Sequence, residues 1–210
     1  MAGISPGMNP TPLPQINSCT VQNSNYGILV TNLPGLLIQN SIITNTDYGI
    51  YLSNVTTALV INNQINANTP VMQGIFASSS GGIIRGNQIS GHTSGIHLAN
   101  SASTDVGGND ITDCLYHGMY IGSGSNPNMV GNLVLNLGTR EWYATAGYNK
   151  IYNNGGYSGP GADNDGSEIY FYNSNARMRS GCNSIYDNRQ PSPPLINTLL
   201  LMNGYSTGLP

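Results

Sequence analysis

Charge is what this chain has least of. Its 210 residues include 6 Lys or Arg and 9 Asp or Glu, so charged residues make up 7% and the net charge is −3. An ordinary globular domain carries about 25%. With no basic patch and no arginine cluster, the chain lacks the electrostatic footprint that holds nucleic acid. Long apolar runs are missing too. The longest, "LLIQNSII" and "LINTLLLM", fall far short of the roughly 20 residues that cross a bilayer, so no membrane span is expected. The opening residues, "MAGISPGMNPTPLPQ", contain no basic stretch followed by an apolar one, and no export signal is expected in them. Cysteine is scarce. Cys19, Cys114 and Cys182 are odd in number and too widely spaced for a zinc motif, which leaves them the role of small buried residues.

What the chain does have is glycine, 27 residues of it, and 39% hydrophobic residues placed at regular intervals. Regular apolar spacing can bury a core, which a disordered chain could not do. The phrase Gly-apolar-x-apolar recurs as "GILV" from Gly27, "GIYL" from Gly49, "GIFA" from Gly74, "GIHL" from Gly95 and "GMYI" from Gly118, at steps of 22, 25, 21 and 23 residues. A second phrase, Asn-x-apolar, follows at Asn40, Asn63, Asn87, Asn109 and Asn132, with Asn17 upstream and Asn149 and Asn183 downstream. A period in the low twenties fits leucine-rich repeats or a β-helix. The first would need a fixed leucine run, and none is present. Each unit holds three short alternating pieces rich in β-branched residues and separated by Ser, Asn, Thr and Gly, which predicts three strands per coil. Stacking the coils about 4.8 Å apart would put isoleucine on isoleucine inside. Asparagine at a tight corner tolerates a left-handed backbone and can hydrogen-bond to its equivalent in the next coil.

These repeats resemble the right-handed parallel β-helix proteins of the pectate-lyase-like superfamily over roughly residues 16–190. The resemblance implies an all-β solenoid of about seven to eight three-stranded coils with an asparagine ladder. Gly49–Leu52 would be the first strand, Ala58–Ile61 the second, Asn63 the corner and Gln64–Asn66 the third. Residues 1–15 form a Pro-rich segment and residues 191–210 a terminal cap or linker strand. Catalytic relatives usually carry an N-terminal capping helix, which a Pro-rich stretch cannot supply. Exposed coil ends would then invite end-to-end association.

The middle residue of the first phrase is expected to point outward, giving the row Leu29, Tyr51, Phe76, His97, Tyr120 and Tyr170. The resemblance implies a sugar groove on this face, and aromatic rings suit the apolar side of a pyranose. The same row serves equally as good strand residues, or as packing for a partner chain. "TREWYAT" adds Arg140, Glu141 and Trp142. Glu141 is an acid or base candidate if a second carboxylate lies about 5 to 9 Å away, and otherwise a surface partner of Arg140. Asp163, Asp165 and Glu168 around Gly166 partly match a calcium loop and also read as an acidic turn. His92, His97 and His117 with Asp113 form a metal or acid–base candidate only if their differing coil phases converge.

The resemblance implies calcium-bound carboxylates and a proton-abstracting Arg or Lys in a lyase. Here Asp47, Asp105, Asp110, Asp113 and Asp187 are scattered in coil phase, with Asp110 on the ladder corner, and there is no Asp-Asp pair and no Gly-His-Gly. "NTD" at 45–47 resembles a fragment of the polygalacturonase signature and also reads as an ordinary turn. The expectation is a non-catalytic extracellular module for glycan binding, adhesion or assembly, with no required cofactor. A polysaccharide lyase or glycoside hydrolase working along the first-sheet groove, with Glu141 and Asp113 as its candidates, is the alternative. A self-assembling filament subunit is the third reading.

Overall fold

The computed structural model describes residues 12–100, 103–122, 124, 125 and 127–130, and the strands 150–152, 167–172, 179–181, 184–186 and 198–203. Every regular element among them is a β-strand. One sheet of seven strands runs in the order β1 (Gln15–Asn17), β3 (Gly35–Gln39), β5 (Thr57–Ile61), β8 (Gly81–Arg85), β11 (Ser103–Gly107), β14 (Asn128–Val130) and β17 (Arg179–Gly181). A 12-stranded sheet runs from β18 (Ser184–Tyr186) through β15 (Lys150–Tyr152), β12 (Asp110–Thr112), β9 (Gln88–Ser90) and β6 (Gln64–Asn66) to β4 (Ile42–Ser53). It continues through β7 (Gln73–Ser78), β10 (Ser94–Ala99), β13 (His117–Ile121) and β16 (Ser167–Tyr172) to β19 (Thr198–Asn203), with β2 (Thr20–Thr31) beside β4. The pairings are parallel and join each strand to its counterpart one turn away, as β3 with β5 and β7 with β10. This is the parallel β-solenoid that the repeats predict. Its fully described part makes about five turns, fewer than the seven to eight expected.

The strands take their places from alternation. In β7 the residues Ile75 and Ala77 are buried while Phe76 between them is only partly so. Stacking repeats this inward set as columns: Ile50, Ile75, Ile96 and Met119 in one, Ile43, Ile65, Ile89 and Ile111 in another, Ile38, Val60, Ile84 and Val106 in a third, all at most 2% exposed. Burying one such side chain contributes about 1.5–3 kcal/mol, so the columns supply the main driving force. In β2 and β4 the expected third and first strands run on as single strands of 12 residues. They turn the corner at Asn23 and Asn45, both at positive φ. From the next turn onward the two pieces are separate strands, because residues 67–72 intervene between β6 and β7.

The recurring glycine has a steric cause. A Cβ on Gly27, Gly49, Gly74 or Gly95 would come closer than 3.0 Å to the Cγ2 atom of Ile43, Ile65, Ile89 or Ile111 respectively, and as close to the carbonyl oxygen of the next glycine in the series. The isoleucine of the third strand therefore fills the space that a side chain on the first strand would need. Glycine and isoleucine are a coupled pair between neighbouring turns.

The corner between the second and third strands holds the ladder. The backbone N–H of Asn63 donates to Asn87 Oδ1 at 2.9 Å, and Asn63 Nδ2 donates to the same oxygen at 3.0 Å and to the Ile38 carbonyl at 3.1 Å. Asn87 repeats the arrangement with Asn109 and the Val60 carbonyl, at 2.9 Å and 3.0 Å from its Nδ2. The register corrects the sequence reading for the earlier turns. Ile42 pairs with Gln64, so Ser41, not Asn40, stands over Asn63, and its N–H donates to Asn63 Oδ1 at 3.0 Å. Asn40 occupies the preceding position, where Ser18, Asn62, Gly86 and Gly108 share its positive φ. Similarly Asn109 holds the corner and Asp110 is the first residue of β12. The strand paired with β12 is Lys150–Tyr152; Asn132, Asn149 and Asn183 lie outside the described residues.

Asn87→Ala removes a buried amide and strands two of its partners, the Asn63 N–H and the Val60 carbonyl. The expected loss is about 4 kcal/mol of stability, measured by urea unfolding. Asn40→Gly keeps the backbone conformation and is expected to change it by less than about 0.5 kcal/mol.

Candidate functional site

The outward row lies where strand alternation puts it. Tyr51, Phe76, His97 and Tyr120 are successive Cα partners across β4, β7, β10 and β13, and Leu29 precedes them opposite Tyr51. Tyr170 pairs with Tyr120 in the strand register. One ring per turn brings the rings into contact. Tyr51 and Phe76 stack with centroids 4.8 Å apart, Phe76 meets His97 edge-on at 5.0 Å, and His97 lies 4.3 Å from Tyr120. Each contact of this kind contributes about 0.5–1.5 kcal/mol beyond burial, so the row stabilises itself as well as presenting a surface.

A second column, missed in the sequence, flanks it. The residue before each recurring glycine reads Tyr26, Tyr48, Gln73, Ser94 and His117, and the register places these side by side at Tyr26 with Tyr48, Ser94 with Gln73 and His117 with Ser94. Tyr26 and Tyr48 stack at 5.1 Å with planes 8° apart, and Tyr51 stands edge-on to both at 5.5 and 5.2 Å. At the far end His117 lies 5.6 Å from Tyr120. The "YG" pairs at 26–27 and 48–49 carried this signal. Strict alternation counted from Tyr51 hides it, because Gly49 and Ile50 are both buried and so two inward residues separate Tyr48 from Tyr51.

Exposure is greatest in the first turn, where Leu29 is 52% and Tyr26 40% exposed. Burial raises the pKa of the Tyr48 phenol, helped by Tyr26, Tyr51 and Asp47, so it is uncharged at neutral pH. Burial also lowers the imidazoles of half-buried His97 and buried His117 to about 4, with the neighbouring His97 lowering His117 further. At neutral pH the rings of this face are uncharged, with Asp47 as the charged neighbour of Tyr48.

The three histidines do not converge. His92 is fully buried on the inside of the coil, while His97 and His117 belong to the outer columns. Asp113 is exposed on the corner after β12, at positive φ like Asn45. Among the described residues no group of three His, Cys, Asp or Glu could hold a metal ion. The described acids lie in different strands: Asp105 is in β11, Asp110 in β12, Glu168 in β16, and Asp47 within β4 beside Tyr48. Arg140, Glu141, Trp142, Asp163, Asp165 and Asp187 lie outside the described residues.

The chain matches the family of the right-handed β-helix region over residues 3–190 and belongs to it. Comparison with curated proteins and with solved structures finds no match.

Inside the coil, both ring nitrogens of His92 lack a hydrogen-bond partner, and burial holds its pKa at about 4. The unfolded chain, with an ordinary pKa near 6.5, binds the proton that the folded chain refuses, so the stability His92 confers is present above pH 6.5 and lost as pH falls towards 4. The expected loss from His92 alone is about 3 kcal/mol, with His97 and His117 acting in the same direction. Urea midpoints measured between pH 7 and pH 4 should fall steeply for the wild type and less steeply for His92→Leu.

Proposed function

We propose that this chain is a non-catalytic extracellular module that holds a glycan along its two outward columns, with the polymer lying parallel to the solenoid axis. The observation that carries this reading is the repetition of one ring per turn, Tyr51, Phe76, His97 and Tyr120, on a single face. Rings spaced by the strand repeat offer successive apolar edges to successive sugars, and such contacts need no charge. Among the described residues Asp105 lies in β11, of the other sheet, while Asp47 and Asp110 lie in β4 and β12, so these acids do not form the placed pair that sugar cleavage requires. The low charge and the Asn, Ser and Thr content of the chain suit an exported surface protein.

Assembly is the second reading, favoured by the first turn. Among the described residues β2 has β4 as its one neighbour, and it carries the exposed Leu29 and Tyr26. Unpaired strand edges are templates for a further chain.

Native gels cast with polysaccharide test the first reading. The wild type should be retarded, and Tyr51→Ala, Phe76→Ala and Tyr120→Ala combined should weaken binding about a hundredfold, at roughly 1 kcal/mol per ring, with an unchanged circular dichroism spectrum. Retardation equal in the triple variant contradicts the assignment of the site. Shortening of the glycan by the wild type contradicts the non-catalytic role, and a light-scattering mass that grows with concentration supports assembly.

A further inference from the structure

Tyr26 and Tyr48 are Cα partners in the parallel pair β2 and β4, so their side chains leave neighbouring strands side by side. Their rings are nearly parallel, 8° apart in plane and 5.1 Å between centroids. Tyr26 is 40% exposed, within reach of a reagent in solution. Beyond Tyr51 the described contacts of the outer columns join unlike rings: Tyr51 with Phe76, Phe76 with His97, and Tyr120 with His97 and His117. Among the residues whose side chains are described, two phenols from successive turns meet at Tyr26 and Tyr48, and at Tyr26 and Tyr51. Only the first pair is both in register and stacked. The first turn is also the one with least to hold it, since β2 pairs with β4 alone among the described strands, and its cysteine, Cys19, is an exposed thiol and not the small buried residue expected.

We propose that Tyr26 and Tyr48 form an oxidative coupling site, converted by a one-electron oxidant of the peroxidase and hydrogen peroxide class into a dityrosine that staples the first turn to the second. Each phenol gives up one electron to the oxidant and one proton to water, leaving two phenoxyl radicals. The radicals join through a carbon–carbon bond between ring positions ortho to the oxygens, and the hydrogen on each joined carbon shifts to oxygen to restore the phenol. The net loss is two hydrogen atoms from the protein, and one hydrogen peroxide becomes two water molecules. Coupling requires both radicals to be adjacent before either decays, and the strand register holds the two rings in that relation beforehand. Rotation about side-chain torsions brings the ortho carbons together while the backbones stay paired. The resulting bond closes the turn between residues 26 and 48 and restricts the unfolded chain much as a disulfide does. This inference rests on the strand register and ring geometry alone, independently of any glycan.

The test uses the full chain with its thiols alkylated, treated with a peroxidase and hydrogen peroxide. Intact mass spectrometry should show a monomer lighter by two hydrogens, peptide mapping should join residues 26 and 48, and the rate should not depend on protein concentration. Tyr26→Phe and Tyr48→Phe should each abolish the cross-link while keeping the ring and the fold, as checked by circular dichroism. Tyr51→Phe and Tyr116→Phe should leave it intact, and the cross-linked protein should melt several degrees higher. A cross-link that persists in Tyr26→Phe, covalent dimers in place of the internal bond, or addition of oxygen without hydrogen loss would each overturn the proposal.

Discussion

The structure depends on satisfying backbone groups that point into a dry, narrow interior at each corner. A coil of about two dozen residues that turns three times must expose some N–H and C=O groups towards its own axis, and an unpaired one costs as much as a lost hydrogen bond or more. Asn63, Asn87 and Asn109 meet this need with one side chain per turn. The oxygen takes the N–H of the turn before, and the nitrogen reaches the carbonyl of the second strand of that turn, as Asn87 does at Val60 and Asn109 at Ile84. Since each amide serves two turns, the ladder fixes the register between them. The isoleucine columns and the outer rings then fall into line.

Glycine and isoleucine impose a second, steric condition on the same register. The space beside Gly49 is taken by Ile65, and that beside Gly74 by Ile89. A slip by one residue would bring a side chain into that space and turn the inward columns outward. The polar and apolar constraints agree on one alignment, which is the consistency expected of a chain with a single fold. The interior is less well satisfied at the corner between third and first strands. There Thr46 Oγ1 and both nitrogens of His92 are buried without a hydrogen-bond partner. In a solenoid each turn touches only its neighbours, so this corner is where acid would first loosen the stack.

Much of this was legible beforehand. The Gly-apolar-x-apolar phrase located the first strand and the outward row, because glycine and the alternating residues answer to one geometric demand. The Asn-x-apolar phrase was less safe. Two small polar residues sit side by side at that corner, one with a left-handed backbone and one turned inward, and asparagine suits both. In "NN" at 62–63 either reading fits, and in "NS" at 40–41 the serine takes the inward place with its N–H donating to Asn63. The phrase also recurs at the right distance at Asn132, yet the strand paired with β12 begins at Lys150. Spacing along the chain cannot show which segment returns to the stack. The column of Tyr26, Tyr48 and His117 is hidden because two consecutive buried residues, as Gly49 and Ile50 in β4, break strict alternation.

The central claim is that residues one turn apart are direct neighbours in a fixed order, and methyl contacts measured by nuclear Overhauser spectroscopy on isoleucine-labelled protein test it most directly. The account predicts an unbroken chain of cross-peaks from Ile43 to Ile65, Ile65 to Ile89 and Ile89 to Ile111, and weak or absent signals between residues two turns apart, which lie at about twice the 4.8 Å strand spacing. Strong contacts that skip a turn, or a missing link between Ile65 and Ile89, would contradict it.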